Sequence, residues 1–365
     1  VSKEQLKFGT TFTDHLLEVN WNKKYGWGNP IIRRYKDFSI SPAASVFHYG
    51  LEAFEGMKAY LNREDNICLF RPEMNMERFK KSSQALFFPD FDSGEYLKCI
   101  EELLKIDKDW IPKGLGYSVY IRPTIISTEP TLSVSPTNNC KLYTILSPVG
   151  PYYSSGFNSI SLLADTKNVR AWPGGTGDIK IGGNYAPTIR IQNEASNKGH
   201  SQILWLFGEN KYITEVGTMN VFFLKENNGN FELITAPLDG TILPGVTRDS
   251  IIQLTKELTI DNKKISVVER NYSIYELICD IKNNKILEAF GTGTAAIISP
   301  INLIEYNNKK YCIHSVGDLT EKLYNELLDI QYGFKKHKWC KIVDSDITVK
   351  EDKNCEVKVY FKAMY

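Results

Sequence analysis

Lys180 lies between two glycine pairs, Gly174-Gly175 and Gly182-Gly183, within WPGGTGDIKIGGNYAP at 172–187. Such glycines permit close backbone approach and dihedral angles closed to other residues. Between them Ile179-Lys180-Ile181 alternates apolar, charged, apolar, as a short half-buried strand does. A lysine in that frame is either a solvated surface group, the commoner fate of lysine, or a desolvated amine. A desolvated amine loses its proton more readily and can then bond to a carbonyl or carry a proton between atoms. Tyr185 follows at the start of a helical pattern, with Asn184 as N-cap, Pro187 in the first turn, Ile189 and Ala195 on one face, and Gly199 as the stop.

Four further places could serve such chemistry. Glu215 closes a strand before Val216-Gly217-Thr218-Met219-Asn220, either as a solvated turn group or as a buried partner for a ring N–H. Pro244-Gly245-Val246-Thr247 opens a helix, whose first unpaired amides and dipole favour an anion; an ordinary capped helix is the alternative. Gly291-Thr292-Gly293 follows a strand and starts like a dinucleotide fingerprint. That fingerprint needs a helix next, and Ile297-Ile298-Ser299-Pro300 is β-like instead, which leaves an anion nest. Arg71 sits where a strand meets a helix, a place equally suited to a surface group. An amine, an anion cup, a phenol and a carboxylate together are what pyridoxal phosphate (PLP) requires. A nicotinamide oxidoreductase built on the 291–296 turn and a non-catalytic binding protein are the competing readings.

The elements that must position these groups fit a chain of 365 residues and two domains. A formal charge of +1 gives no reason to invoke nucleic acid or a membrane surface, and no apolar run approaches membrane-span length. Seven dispersed cysteines without a C-x-x-C pair suggest free thiols, and five histidines without ligand spacing make a metal site unexpected. The N-terminus shows neither a signal-peptide core nor a transit pattern and lacks Met. The expected compartment is cytoplasmic, or mitochondrial if a transit peptide was trimmed.

Strands are expected at 38–42, 117–126, 142–149, 160–165, 202–207, 212–215, 218–225, 231–236 and 286–293. Helices are expected at 73–86, at 95–110 with Leu97, Ile100, Leu103, Leu104 and Trp110 as its stripe, after Pro244-Gly245, and at 319–334. A Gly/Pro/Ser-rich connector at 150–160 divides a domain at 1–149 from one at 161–343, and the charged tail at 344–365 carries no readable motif.

The segments FGTTFTDH, HYGLEAFEGMKAY, LFRPEMNMERF, YIRP, RAWPGGTGDIKIGGNYAPT, YITEVGTMN, ILPGVTRDS and FGTGTAA occur in that order. Together they resemble the branched-chain amino acid aminotransferases, class IV aminotransferases, from about Leu6 to Lys341. The resemblance implies an α+β, two-domain PLP fold type IV like that of D-amino-acid aminotransferases, with a small α/β N-terminal domain and a larger β-rich C-terminal one. It implies transamination of L-leucine, L-isoleucine and L-valine with 2-oxoglutarate, in a ping-pong cycle, by a homodimer.

Carried over by position, the resemblance makes Lys180 the Schiff-base lysine, Tyr185 the partner of the cofactor's phenolic oxygen, and Glu215 the carboxylate at its ring nitrogen. It assigns the phosphate to Arg71, Val246, Thr247 and Thr294, and the substrate α-carboxylate to the amides of Thr294 and Ala295. Phe8, Phe54, Tyr120, Tyr152 and Thr218 match the side-chain pocket, joined by Tyr49 from a partner subunit. Arg122 matches the receiver of glutamate's distal carboxylate. Two departures stand out. Animal members often carry a C-x-x-C redox pair after the glycine turn; here those positions are Ala296 and Ser299, so no thiol switch is expected there. The tail beyond Lys341 exceeds the family pattern.

Overall fold

A computed structural model describes residues 6–151, 158–313 and 317–344, and the backbone of 350–351 and 357–358. In chain order come β1 (His15–Asn22), β2 (Gly26–Trp27), β3 (Ile31–Arg34), α1 (Ser45–Tyr49), β4 (Glu52–Phe54), β5 (Met57–Leu61), β6 (Ile67–Phe70), α2 (Pro72–Ala85), α3 (Ser93–Ile106), β7 (Ser118–Ser127) and β8 (Asn139–Val149). Then follow β9 (Ile160–Ala164), α4 (Thr188–Asn197), β10 (Gln202–Phe207), β11 (Tyr212–Val216), β12 (Asn220–Asn227), β13 (Asn230–Thr235), α5 (Val246–Thr255), β14 (Thr259–Ile260) and β15 (Lys263–Glu269). The chain continues with α6 (Ile274–Lys282), β16 (Ile286–Gly293), β17 (Ile297–Tyr306), β18 (Lys309–Cys312), α7 (Asp318–Gln331), β19 (Cys340–Ile342), β20 (Lys350–Glu351) and β21 (Val357–Lys358).

These elements form two compact units: Val1–Tyr152 with Ile179–Gly183 and Leu328–Tyr365, and Tyr153–Asp178 with Asn184–Leu327. The grouping departs from a division into 1–149 and 161–343, because 179–183 and the stretch from 328 belong to the first unit. Hydrophobic burial explains the first excursion. Ile179 and Ile181 enter the core shared by Met57, Phe79, Leu97 and Ile121, and each such side chain stabilises by about 1.5–3 kcal/mol when removed from water. Hydrogen bonding explains the second, since β19 pairs with β6 and the Tyr332 hydroxyl donates to the Tyr117 carbonyl at 2.6 Å.

The first unit holds one sheet in the order β19-β6-β5-β7-β8-β1-β3-β21-β20, with β2 on β1 and β4 on β7. The described tail backbone thus extends this sheet as two short strands. All its pairings are antiparallel. Alternation along β7 separates core residues Val119 and Ile121 from Tyr120 and Arg122, which share the opposite face. Helices α2 and α3 supply core side chains such as Phe79, Leu97 and Leu103.

The second unit holds a mixed sheet, β11-β10-β9-β17-β16-β12-β13-β15-β14, with β18 on β17. Parallel pairing of β9 with β10 and of β13 with β15 requires crossover connections, and the chain inserts α4 and α5 there. Gly217, at φ 55, makes the tight turn between β11 and β12, in which Val216 and Met219 exchange backbone hydrogen bonds of 2.8 Å.

Several local expectations are corrected. Residues 38–42 form no strand, and α3 ends at Ile106, leaving Trp110 in a separate 3-10 turn where its Nε1 donates to Asp14 at 3.0 Å. Helix α4 begins at Thr188 behind Pro187, because the Asn184 side chain is engaged with Thr176 rather than capping. Its buried face is Ile191 and Ala195, while Ile189 is exposed.

Helix α6 escaped the sequence reading although its start is marked by a capping box. Ser273 Oγ accepts from the Glu276 N–H at 3.1 Å, and Glu276 accepts from the Ser273 N–H at 3.1 Å. Ser273→Ala is expected to cost about 1 kcal/mol, read as a lower urea midpoint at unchanged slope.

Candidate active site

In the first unit the sequence around Lys180 is held as an irregular segment rather than a strand. Its strand character is reduced to one bridge, Ile181 to Ala53 of β4. The Lys180 carbonyl accepts from the Phe54 N–H at 3.0 Å, and the Lys180 N–H donates to Ser82 Oγ at 2.8 Å. With the flanking isoleucines buried on the core side, the lysine side chain is turned the other way, and its Nζ lies 4.8 Å from the centroid of the Phe54 ring.

Burial pushes the Lys180 amine down to about 8; the Tyr120 phenol and Glu55 act against this, while Arg78 and Arg122 add to it. Beneath the segment, Arg78 pairs with Glu55 through Nε at 2.8 Å and Nη2 at 2.6 Å. Both side chains are buried, so this forked ion pair depends on its geometry being complete.

Beside the lysine, Arg122 lies 4.7 Å from the Phe54 centroid and donates through Nη2 to the Tyr120 hydroxyl at 3.2 Å. Its buried Nε has no hydrogen-bond partner among the described residues. Phe8 meets Tyr120 edge to face at 4.8 Å. The structure therefore brings Lys180, Phe54, Phe8, Tyr120 and Arg122 into one aromatic, cationic cluster. Lys58, in register with Tyr120 on β5, is a second buried amine pushed down to about 8 by desolvation.

Arg71 occupies the corner between β6 and α2 in the left-handed region, at φ 48. Its N–H donates to the Trp339 carbonyl at 2.8 Å, and its guanidinium lies 4.4 Å from the Trp339 ring centroid. A non-glycine residue in that region is strained and commonly marks a functional position. Tyr49 is half-exposed on α1, its hydroxyl donating to the Leu132 carbonyl. Tyr152 lies outside the described residues.

In the second unit Glu215 is 2% exposed near the end of β11. Its Oε2 meets Arg170 Nε at 2.6 Å, and its Oε1 accepts from Asn220 Nδ2 at 3.1 Å and from the Leu243 N–H at 3.0 Å. One ion pair and two hydrogen bonds of this kind favour the charged carboxylate. Asn220 also shapes the start of α5: a Cβ on Gly245 would come within 2.1 Å of its Oδ1. No side chain caps α5, whose first residues are Val246 and Thr247. Thr294 and Ala295 form the turn after β16, followed by Ile297 at φ 63, a β-branched residue in the left-handed region. Thr218 is exposed in the β11–β12 turn, and Tyr185 is half-buried in the turn before α4.

Sequence reasoning missed the residues that support these groups. Arg170 carries no signal beyond its nearness to the glycine stretch. Glu55, Arg78 and Ser82 look like ordinary surface or helix residues until β4 and α2 pack together.

A family model for class IV amino-transferases matches residues 52–304. The branched-chain-amino-acid aminotransferase of Dictyostelium discoideum is 49% identical over 94% of this chain and 91% of its own length. The chain belongs to the branched-chain-amino-acid aminotransferases of class IV. The mitochondrial and cytosolic branched-chain aminotransferases of Saccharomyces cerevisiae are 48% and 47% identical, each over 93% of this chain and over 88% and 92% of their own lengths. Solved structures agree in fold. The branched-chain aminotransferase of Thermobaculum terrenum in its PLP form superposes with a TM-score of 0.72 at 23% identity, covering 91% of this chain and 99% of that one. The enzyme is thus an aminotransferase of α+β fold.

One glycine in this aminotransferase is fixed by the side chain that crosses it. A Cβ on Gly56 would stand 1.8 Å from the Tyr120 hydroxyl. Gly56→Ala is expected to cost about 1–3 kcal/mol through overpacking, measured by denaturation. A crystal structure of the variant should show the Tyr120 hydroxyl moved off Arg122.

Proposed function

We propose that this aminotransferase exchanges the amino groups of L-leucine, L-isoleucine and L-valine with 2-oxoglutarate, using a PLP bonded to Lys180. The observation that carries the reading is the desolvated Lys180 amine beside Phe54, Tyr120 and Arg122, in a chain nearly half identical to named branched-chain aminotransferases.

The residues present suit the cofactor. Glu215, held charged by Arg170, Asn220 and the Leu243 amide, would keep a proton on the ring nitrogen. Tyr185 would donate to the phenolic oxygen. Arg71, the amides of Val246 and Thr247 at the uncapped start of α5, and Thr294 would hold the phosphate. When bound, PLP supplies a carbonyl that bonds to amines and a ring that accepts electrons as an α-proton leaves. Lys180, with its proton weakly held, moves that proton between carbon atoms.

Phe8, Phe54, Tyr120 and Thr218 would take the branched side chain, with Tyr49 from a second subunit and Tyr152 completing the pocket. The amides of Thr294 and Ala295 would hold the α-carboxylate. Exposed Phe47, Leu132 and Val134 near the chain positions of α1 and its contact loop support pairing of two copies. The unpartnered Nε of Arg122 supports its role as the receiver of a second carboxylate, so both substrates share one pocket. The compartment is cytosolic or mitochondrial, as the yeast relatives are.

Three outcomes test the reading. Lys180→Ala should abolish both the borohydride-fixed PLP peptide and leucine–2-oxoglutarate exchange, a loss of at least about 10²-fold. In cofactor-free enzyme the amine is protonated below its folded pKa and unreactive there. PLP uptake should therefore rise with pH through about 8 rather than 10.5; a midpoint near 10.5 contradicts a desolvated amine. Arg122→Gln should raise KM for 2-oxoglutarate far more than for leucine, in steady-state assays with each substrate varied.

A further inference from the structure

We propose that Cys68 and Cys340 form a redox modification site, a thiol pair that hydrogen peroxide converts to a disulfide joining β6 to β19. The strand register puts Cys340 opposite Phe70 and Ile342 opposite Cys68, so the two cysteines are diagonal neighbours on one face of the sheet. Their sulfurs converge on Gly333, which at φ 65 follows α7. A Cβ there would meet Cys68 Sγ at 3.0 Å and Cys340 Sγ at 3.5 Å, so the missing side chain leaves both thiols the same space.

The pair is asymmetric in the way that oxidation requires. Cys68 is fully buried, whereas Cys340 is partly exposed at the strand that ends the sheet. The neighbouring Cys68 thiol favours the Cys340 thiolate, lowering its pKa, and their interaction raises that of Cys68, whose Sγ donates to the Asn66 carbonyl at 3.8 Å. Cys99 and Cys140, by contrast, are buried thiols pushed up by desolvation and unsuited to attack.

The Cys340 thiolate attacks one oxygen of peroxide, the O–O bond breaks, and hydroxide leaves, giving a sulfenic acid. The Cys68 sulfur then attacks the Cys340 sulfur, forming the S–S bond, while the S–OH oxygen departs with the Cys68 proton as water. Two thiols are oxidised and one peroxide is reduced; a dithiol reverses the change.

The bond acts on its surroundings. Diagonal neighbours stand about 7–8 Å apart at Cα, beyond the usual 4.4–6.8 Å span of about one disulfide. Closure therefore draws β19 toward β6. Trp339 precedes Cys340, and its carbonyl and ring hold Arg71. If Arg71 binds the cofactor phosphate, as proposed above, the oxidised enzyme holds PLP less firmly.

The test treats holoenzyme with hydrogen peroxide, blocks remaining thiols with iodoacetamide, and digests without reductant for mass spectrometry. The expected result is a peptide linking Cys68 to Cys340, absent after dithiothreitol and absent in Cys340→Ser. That variant changes a partly exposed position and keeps the test open should Cys68→Ser fail to fold. Oxidised holoenzyme should also lose its PLP absorbance on dialysis, whereas peroxide-treated Cys340→Ser should keep it. Full alkylation of Cys68 and Cys340 under conditions that oxidise exposed Cys279 and Cys312 overturns the proposal. A linked peptide with unchanged PLP retention supports the modification site and overturns only its coupling through Arg71, separately from the assignment of Lys180.

Discussion

Two hydrogen bonds fix the backbone of the lysine on which the proposed chemistry rests: Phe54 N–H to the Lys180 carbonyl, and Lys180 N–H to Ser82. They anchor the backbone on both sides of one Cα, while Ile179 and Ile181 anchor it by burial. The side chain between them has little freedom left and must leave on the aromatic side. The glycine pairs around the segment then have a physical purpose. One glycine of each pair leaves room for a neighbour: a Cβ on Gly182 would stand 2.0 Å from Glu52 Oε1, and one on Gly175 3.0 Å from the Trp172 ring.

Charge is organised in the same economical manner within each unit. Isolated buried charges cost on the order of several kcal/mol each, and only complete pairing offsets that. Glu55 has Arg78 and the Gly56 amide at 2.7 Å; Glu215 has Arg170, Asn220 and a backbone amide. Lys180 differs: burial strips water from its amine, and the Arg78 and Arg122 guanidinium groups add repulsion, which is why its proton is weakly held.

Legibility in the sequence followed locality. Most strands and helices were readable, because alternation and helical stripes are short-range properties: β7, β8, β12, β16 and α2 lie close to their expected spans. Lys180, Glu215 and the start of α5 could be singled out because glycines mark them, and the family resemblance assigned them roles. What failed was non-local. Asn184 looks like a helix cap until Thr176 engages it, and nothing near Arg170 announces that its partner is Glu215. The convergence of Cys68 and Cys340, 272 positions apart in a chain of 365, is created by the register of β19 and has no signature in either neighbourhood.

The return of the chain end to the first sheet has a consequence for how the protein is made. Chains emerge from the ribosome N-terminus first, and domains generally fold as units. Here the first unit lacks Ile179 and Ile181 until the second unit is under way, and lacks the β19 strand until Leu327, the last residue of the second unit, has been passed. The Asn184–Leu327 stretch has most of its partners at hand earlier. The half translated first is therefore the half completed last, and its β6 edge stays open to chaperones or to neighbouring nascent chains throughout elongation.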